Sequence, residues 1–531
     1  MFAIDRAKKV LTLVITCLGF FMVLLDVSIV TVALPTMQAD LHVGISDLQW
    51  IVDAYTLPFA VLLLTAGTLG DRFGRKRLFL VGLAIFTIGS ALCGFAPTLG
   101  LLIAGRILQG IGGAALAPGS LSVLAFTFPD ERERAQAIGI WSGVSGIALA
   151  AGPLIGGSLI QLSSWPAIFF VNLPIGIIAF VLGWRVLAES RNPLAQRADI
   201  AGQILIIAGL TALTYAFIEG KTQGWTSTLI LTLFILAAVF IVAFLAVEAK
   251  ASEPLLPLSL FHNRTFSTAN GAAAVVGFAL LGTVFFLTQY FQGIQGYNAL
   301  GSGLRTLPNT IGIFLAAPLA GQLTARFGPR LPVTIGAFSA GIALLLLTSI
   351  SPTTAYVDIW WKLAMLGGGF GLMLSPLTTA VLAVTPPARA GLASSIVTTS
   401  RQIGSVLGIA LLGTLVNNQF TANITSSLTT RGVPEPVSQN IATAVANAGS
   451  QANKLHFPAT FPIPMRAVHA LLNQAFTNAI HEAFLVSGVA LLCTGILSAL
   501  LLGRGQKVAP VQHDAEDGLI ESFESTITAL D

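Results

Sequence analysis

The chain has 531 residues, 54% of them hydrophobic and 9% charged, and its 27 Lys and Arg against 23 Asp and Glu give a net charge of +4. No water-soluble core needs so much apolar surface, and no basic patch interleaved with aromatics marks a nucleic-acid surface. Cys17, Cys93 and Cys493 all fall within apolar runs, so they read as small buried side chains and not as a disulfide framework or metal cluster.

A helix needs about 20 apolar residues to cross about 30 Å of hydrocarbon, and the chain supplies fourteen such runs. The first seven are 10–34, 48–70, 78–96, 99–126, 135–161, 167–187 and 200–218. The second seven are 227–247, 266–290, 300–325, 331–350, 359–383, 391–416 and 478–503. Arg6, Lys8 and Lys9 precede the first run, but it is too long for a signal peptide, holds Asp26 and lacks a small-residue cleavage site. With the N-terminus inside, cytosolic segments carry nineteen basic residues and outer segments four, namely Lys221, Arg431, Lys454 and Arg466. This positive-inside bias accounts for the net charge and puts both termini in the cytosol. Residues 248–265, with Pro254 and Pro257, read as a cytosolic linker, 504–531 as an acidic cytosolic tail, and 417–477 as one long outer loop of short helices or a hairpin, with a helix-compatible stretch from Met465 into the last span.

The first span contains L-D-V-S-I-V-T-V-A-L-P from Leu25 to Pro35, with Asp26 about 13 Å below its outer end at 1.5 Å per residue. In the second, Asp53 lies about 8 Å down. Then comes G-T-L-G-D-R-F-G-R-K-R, Gly67 to Arg77, and a worn copy, G-Q-L-T-A-R-F-G-P-R, begins at Gly321; the repeat points to two related halves. Gly67, Gly70 and Gly74 permit tight turning, Asp71 can face the positive end of a neighbouring helix, and Arg72 and Arg75 hold the cytosolic side. The copy has Ala325 at the acidic position. In span four, G-R-I-L-Q-G-I-G-G-A-A carries Arg106 about 10 Å below the outer end. An Arg in hydrocarbon nearly always faces a partner or a wet cavity, and Asp26 shares its depth. Two readings stay open: a proton site, in which burial favours the neutral carboxyl and a nearby Arg the charged one, or a permanent ion pair that fixes packing. Asp53 is either a second proton site or merely solvated.

Span five holds Gly139, Ala148, Gly152, Pro153, Gly156 and Gly157, small residues for close packing and a Pro that permits a bend. W-P-A-I-F-F-V-N-L-P-I-G follows from Trp165 to Gly176. The second half is poor in charge: Arg401, within R-Q-I-G-S-V-L-G, is placed near mid-membrane, Arg305 begins span ten and snorkels outward, and Asp358 with Lys362 forms a helix-face pair.

With these motifs the chain resembles, over nearly its whole length, the major facilitator superfamily, and specifically its fourteen-span drug:proton antiporter branch. The resemblance implies an all-α integral membrane protein with the major facilitator fold: two six-helix bundles plus two additional central transmembrane helices. The expected units are an N-terminal bundle over 1–187, extra helices and linker over 188–265, a C-terminal bundle over 266–503 and the tail 504–531. It further implies that the Gly67 to Arg75 loop is a conformational latch, with a weaker counterpart at Ala325. Gly139, Gly152, Pro153, Gly156 and Gly157 would be the antiporter motif, with Ala148 replacing a Gly of the family pattern, and Asp26, Arg106 and Asp53 would serve proton coupling. Tyr55, Phe59, Trp141, Phe286, Gln289, Tyr290, Gln292, Phe370 and Arg401 are the candidate cavity residues.

The expected activity is export of lipophilic compounds in exchange for protons, by a monomer in the cell membrane and without a cofactor. A lipophilic cation is the first substrate class because of the nearby carboxylate; a neutral antibiotic, or an endogenous lipid or metabolite, would use the same machinery. Neither H-E-x-x-H nor a P-loop occurs, and six scattered His make no catalytic constellation, which argues against an enzyme or an ATP-driven pump.

Overall fold

The computed structural model describes residues 6–191, 199–251, 254–386, 390–448 and 465–503. The described residues are helical throughout, without a strand. The first half comprises α1 (Arg6–Leu41), α2 (Ile45–Phe73), α3 (Arg75–Gly94), α4 (Leu99–Thr127), α5 (Glu131–Leu162), α6 (Ala167–Phe170) and α7 (Asn172–Val186). Next come α8 (Ile200–Gln223) and α9 (Thr228–Lys250). The second half comprises α10 (Arg264–Gln289), α11 (Ala299–Phe327), α12 (Arg330–Leu347), α13 (Trp360–Leu382), α14 (Ala390–Thr429), α15 (Glu435–Ala448) and α16 (Met465–Leu501). Among the described residues, eleven helices are long and apolar enough to cross a membrane, or twelve counting the bent α2.

Local chemistry sets many of the boundaries. Asn263 caps α10 by accepting from the Thr265 N–H at 2.9 Å, and Asn298 caps α11 by accepting from Gly301 at 2.7 Å. Pro174 has no N–H to offer the preceding turn, and the predicted span 167–187 is accordingly split into α6 and α7. Both copies of the glycine-rich repeat turn on a glycine with positive φ, Gly74 at 116° and Gly328 at 79°.

The predicted outer loop 417–477 holds a short helix, α15, and the helix expected from Met465 into the last span, and it departs from the sequence reading in the continuation of α14. Helix α14 runs on to Thr429 and α16 begins at Met465, so much of that interval is helix standing beyond the apolar spans, with α15 packed on α14. Phe420, Ile424 and Leu428 recur every four residues and are buried, and Phe420 meets Phe476 of α16 edge-on at 5.2 Å. Polar residues between them hide this stripe from a hydropathy scan. Cys493 is also a correction: it is exposed, whereas Cys17 and Cys93 are buried.

In the first half α3 and α2 pack on α4, and α1 on α5, α4 and α7; in the second, α10 packs on α14 and α16, and α13 on α11 and α12. Helix α8 pairs with α9 and touches both α2 and α14, thereby lying across one seam between the halves. It is fixed there by Gln203 donating to the Val61 carbonyl at 2.8 Å, by Trp50 donating to Glu219 at 3.0 Å, and by Thr414 donating to the Phe217 carbonyl at 2.6 Å. Helix α9 is outermost: only 17% of its most apolar window is buried, and Ile235, Val239 and Val242 are exposed, as a lipid-facing helix requires.

Candidate functional site

The charged centre of the first half is assembled from four helices, α1 to α4. Asp26 on α1 and Arg106 on α4 are both buried and form an ion pair through Arg106 Nη1 and Asp26 Oδ2. Arg106 Nε donates to the Ile51 carbonyl at 3.0 Å and Nη1 to Gln109 Oε1 at 2.9 Å. Gln109 Nε2 in turn donates to Asp26 Oδ1 at 2.9 Å and to Ser90 Oγ at 2.8 Å. The guanidinium lies 4.4 Å from the centre of the Tyr55 ring, whose hydroxyl donates to the Val23 carbonyl at 3.2 Å. Charge, hydrogen bonds and an aromatic face thus compensate a guanidinium held away from water.

Asp53 is not part of this centre. It is fully buried, not solvated; Oδ1 accepts from Thr56 at 3.0 Å, and Oδ2 has no partner.

Residues of the fifth-span motif divide between two helices. A Cβ on Gly152 would overlap Ser28 Oγ, and one on Gly156 would come within 2.6 Å of Ile29 Cγ1, so this face holds α5 against α1 close to Asp26. On the other face the Pro153 carbonyl leaves no room for a Cβ on Gly303, and a Cβ on Gly157 would sit 2.8 Å from Leu300 N, which closes α5 onto α11 of the other half. Gly139 takes no part, with nothing within 4 Å of its Cβ position.

Other contacts between the halves join the same end of the molecule, where the α1–α2 and α5–α6 turns lie. Gln49 donates to the Ile409 carbonyl at 2.8 Å and Gln292 to the Val32 carbonyl at 2.8 Å. At the opposite end the Gly67 to Arg75 loop is bound within its own half. Asp71 accepts from Arg75 Nε at 2.8 Å, Lys76 Nζ donates to the Trp184 carbonyl at 2.7 Å, and Glu189 accepts from the Lys76 N–H at 3.2 Å and faces Arg77 at 3.6 Å. Gly70 allows Leu78 to approach, its Cβ position being 2.8 Å from Leu78 Cδ2, whereas the Cβ position of Gly67 is open and Arg72 lies over Phe73.

Candidate cavity residues separate into distinct environments. Tyr55 and Phe59 stack at 5.8 Å in the first-half core, and Trp141 stacks on Phe20 at 4.2 Å while donating to Ser120 at 3.2 Å. Phe286, Tyr290 and Phe370 are fully buried in the second-half core, with Tyr290 donating to the Ser351 carbonyl at 2.7 Å. Gln289 is buried beside them with Oε1 unpartnered. Arg401 is partly exposed on α14, a helix ringed by α2, α8, α10, α13 and α16. Arg305 reaches back toward the start of α11, its guanidinium 3.4 Å from the centre of the Tyr297 ring and Nη1 donating to the Gly301 carbonyl at 3.0 Å, and Lys362 directs its ammonium to the Leu346 carbonyl and Ser349 instead of a helix-face pair with Asp358. A separate open groove of about 850 Å³ lies between α14 and α15, lined by Thr425, Thr429, Glu435 and Gln439.

Sequence reasoning gave Ser90, Asn172 and Glu189 no role. Asn172 stood within the quoted N-L-P stretch, but nothing in the spacing brings it to Asp26; Glu189 lies two residues beyond the predicted span 167–187, and nothing in the sequence ties it to Lys76 or Arg77.

Two helical halves closed on each other at one end, with a buried charge centre in one of them, define a multi-pass membrane transporter. The model for the Major Facilitator Superfamily matches residues 16–409, and the chain belongs to that family. It is 36% identical over 529 residues to the multidrug resistance protein Stp of Mycobacterium tuberculosis, covering 98% of this chain and 96% of that one. It is 35% identical to the tetracenomycin C resistance and export protein of Streptomyces glaucescens over 77% of this chain and 76% of that one. Among solved structures, an inward-facing bacterial homologue of the lysosomal transporter Spinster superposes with a TM-score of 0.65 at 18% identity, over 95% of this chain and 100% of that one, a likeness of fold. The efflux proteins among these relatives are in keeping with the drug-antiporter branch.

Proposed function

We propose that the chain is a proton-coupled antiporter that exports lipophilic compounds by alternating access, the halves 1–187 and 266–503 rocking against each other. The observation that carries this reading is the Asp26 to Arg106 pair, buried yet built from two different helices beside the α5–α1 contact. A charge pair of this kind gives little net stability over an apolar core and is a natural place for a proton to enter once the guanidinium withdraws. Resistance and export proteins among the relatives support the efflux direction. The charge bias supports a cell-membrane protein with cytosolic termini, which makes the closed end the outer one. A lipophilic cation remains the first substrate class, and because Arg106 occupies the Asp26 carboxylate here, such a cation would compete only after the pair opens.

The test is proton movement in proteoliposomes under an imposed pH gradient, with ethidium as the probe. Ethidium-triggered proton release that vanishes in Asp26→Asn is the expected result. Unaltered proton-driven transport by a folded Asp26→Asn protein would sink the assignment, and silence from the wild type toward every cation offered would redirect it to an endogenous lipid or metabolite.

Two further outcomes are expected. Asp71→Asn releases Arg75 and, as a partly exposed pair in successive helical turns is worth a few tenths of a kcal/mol, shifts the balance of conformations about twofold. Cysteine reporters on the two faces should change accessibility in opposite senses; unchanged labelling counts against the latch. Arg401→Gln should weaken ethidium efflux or alter its selectivity several-fold while gradient-driven proton exchange persists, which a substrate panel read beside the proton assay would reveal.

A further inference from the structure

Asn172 presents an unexplained buried group. It is the first residue of α7, fully buried, and its Nδ2 makes only long contacts, 3.5 Å to Asp26 Oδ1 and 3.4 Å to Ser90 Oγ. Its Oδ1 has no partner at all. Native structures seldom leave a buried carbonyl oxygen unpaired, and where they do a missing donor is the usual explanation. Around Asp26 the neighbouring N–H donors point elsewhere, Gln109 Nε2 to Asp26 and Ser90, Arg106 Nη1 to Asp26 and Gln109, and Arg106 Nε to Ile51, while Ser90 Oγ faces the Asn172 amide nitrogen.

We infer that Asn172 is a positioning residue for the proton on Asp26, its amide donating weakly to the carboxylate in the paired state and accepting from the carboxylic acid once Arg106 has moved away. An amide suits both roles, since one end donates and the other accepts and a half-turn exchanges them. The balance is simple: an O–H bond of a hydronium ion breaks and returns water, its proton joins an Asp26 oxygen, and the new O–H points at Asn172 Oδ1. Other titratable or charged groups that face Asp26 are Arg106 on α4, Tyr55 on α2 and Cys93 on α3. Of the side chains that hydrogen-bond Asp26, namely Arg106, Gln109 and Asn172, it is Asn172 that has an oxygen without a partner.

This inference rests on the proton-site reading of Asp26, and its test keeps the two apart. The full chain in detergent is titrated by infrared difference spectroscopy, following the carboxylic acid band that disappears in Asp26→Asn. Asn172→Ala should need about tenfold more protons for half-protonation, roughly the worth of one hydrogen bond. Asn172→Ser, which keeps a hydroxyl able to donate and accept, should recover most of that difference, and thermal melting of both variants shows whether they fold. A wild-type band that titrates identically in a folded Asn172→Ala overturns the role of Asn172 alone. If no Asp26 band titrates in the wild type, the proton-site reading falls and this inference with it.

Discussion

Arg106→Ala should give a protein that is strongly destabilised and transports nothing. Removing the guanidinium strands the Asp26 carboxylate, which is 0% exposed, and takes away the donor to Ile51 and the cation over Tyr55. Breaking a buried pair from one side costs about 3–5 kcal/mol, because the surviving charge has nowhere to go. Neutralising both partners is a different matter: Asp26→Asn with Arg106→Gln leaves no orphan charge and should regain most of the lost melting temperature. Efflux should stay absent in the double variant, since neither proton nor countercharge remains. Melting and ethidium efflux measured for the wild type, Asp26→Asn, Arg106→Gln and the double variant isolate the coupling. A single Arg106→Ala as stable as the wild type would show that the pair is not held as the structure has it.

The second large effect is expected at Gly157, where Gly157→Leu should abolish transport in a protein that still folds. Its Cβ position lies 2.8 Å from Leu300 N and 2.9 Å from the Ala299 carbonyl, so a branched side chain can be housed only by parting α5 from α11. Overpacking a tight contact costs about 1–3 kcal/mol, enough to shift a conformational balance of similar size by one to two powers of ten. The halves can escape by staying apart at this end, which a residue inside one half would not permit. Cysteine reporters near the α5–α6 turn should therefore become more accessible than in the wild type. Gly139→Ala is the contrasting substitution, with open space around its Cβ position and an expected efflux within about twofold of normal. Wild-type transport by Gly157→Leu would mean that this contact is not made during the cycle.

How far the sequence could reach depended on the kind of signal. Long apolar runs and the basic loops disclosed an all-helical membrane protein, because hydrocarbon imposes length and polarity on every span. The depth count placed Asp26 and Arg106 at one level, and the structure brings them into contact. It also placed Asp53 in the outer half, but depth says nothing about azimuth, and Asp53 bonds to Thr56 on its own helix and not to the pair. Tyr290, Phe286 and Phe370 were offered as cavity walls from chemistry alone, and the side chains pack in the core. Helix α14 outran its prediction because Phe420, Ile424 and Leu428 are spaced among Thr, Asn and Ser, an amphipathic pattern that an average over a window erases. Asn172 was invisible for another reason: its neighbours come from α1 and α3, 146 and 82 residues away.

The bracing of α8 on both α2 and α14 bears on how the seams between the halves are screened from the bilayer. A molecule with two halves has two flanks along which the surrounding bilayer could leak toward the interior. The α8–α9 pair shutters one of them, with apolar side chains of α9 turned to the acyl chains and Gln203, Glu219 and Phe217 fastening α8 beneath. The flank between α5 and α11 has no such cover among the described helices. On that flank the acyl chains are held off by the α5–α11 contact itself, so Pro153, Gly157 and Gly303, which close the halves together, are also what seals the interior from the bilayer there.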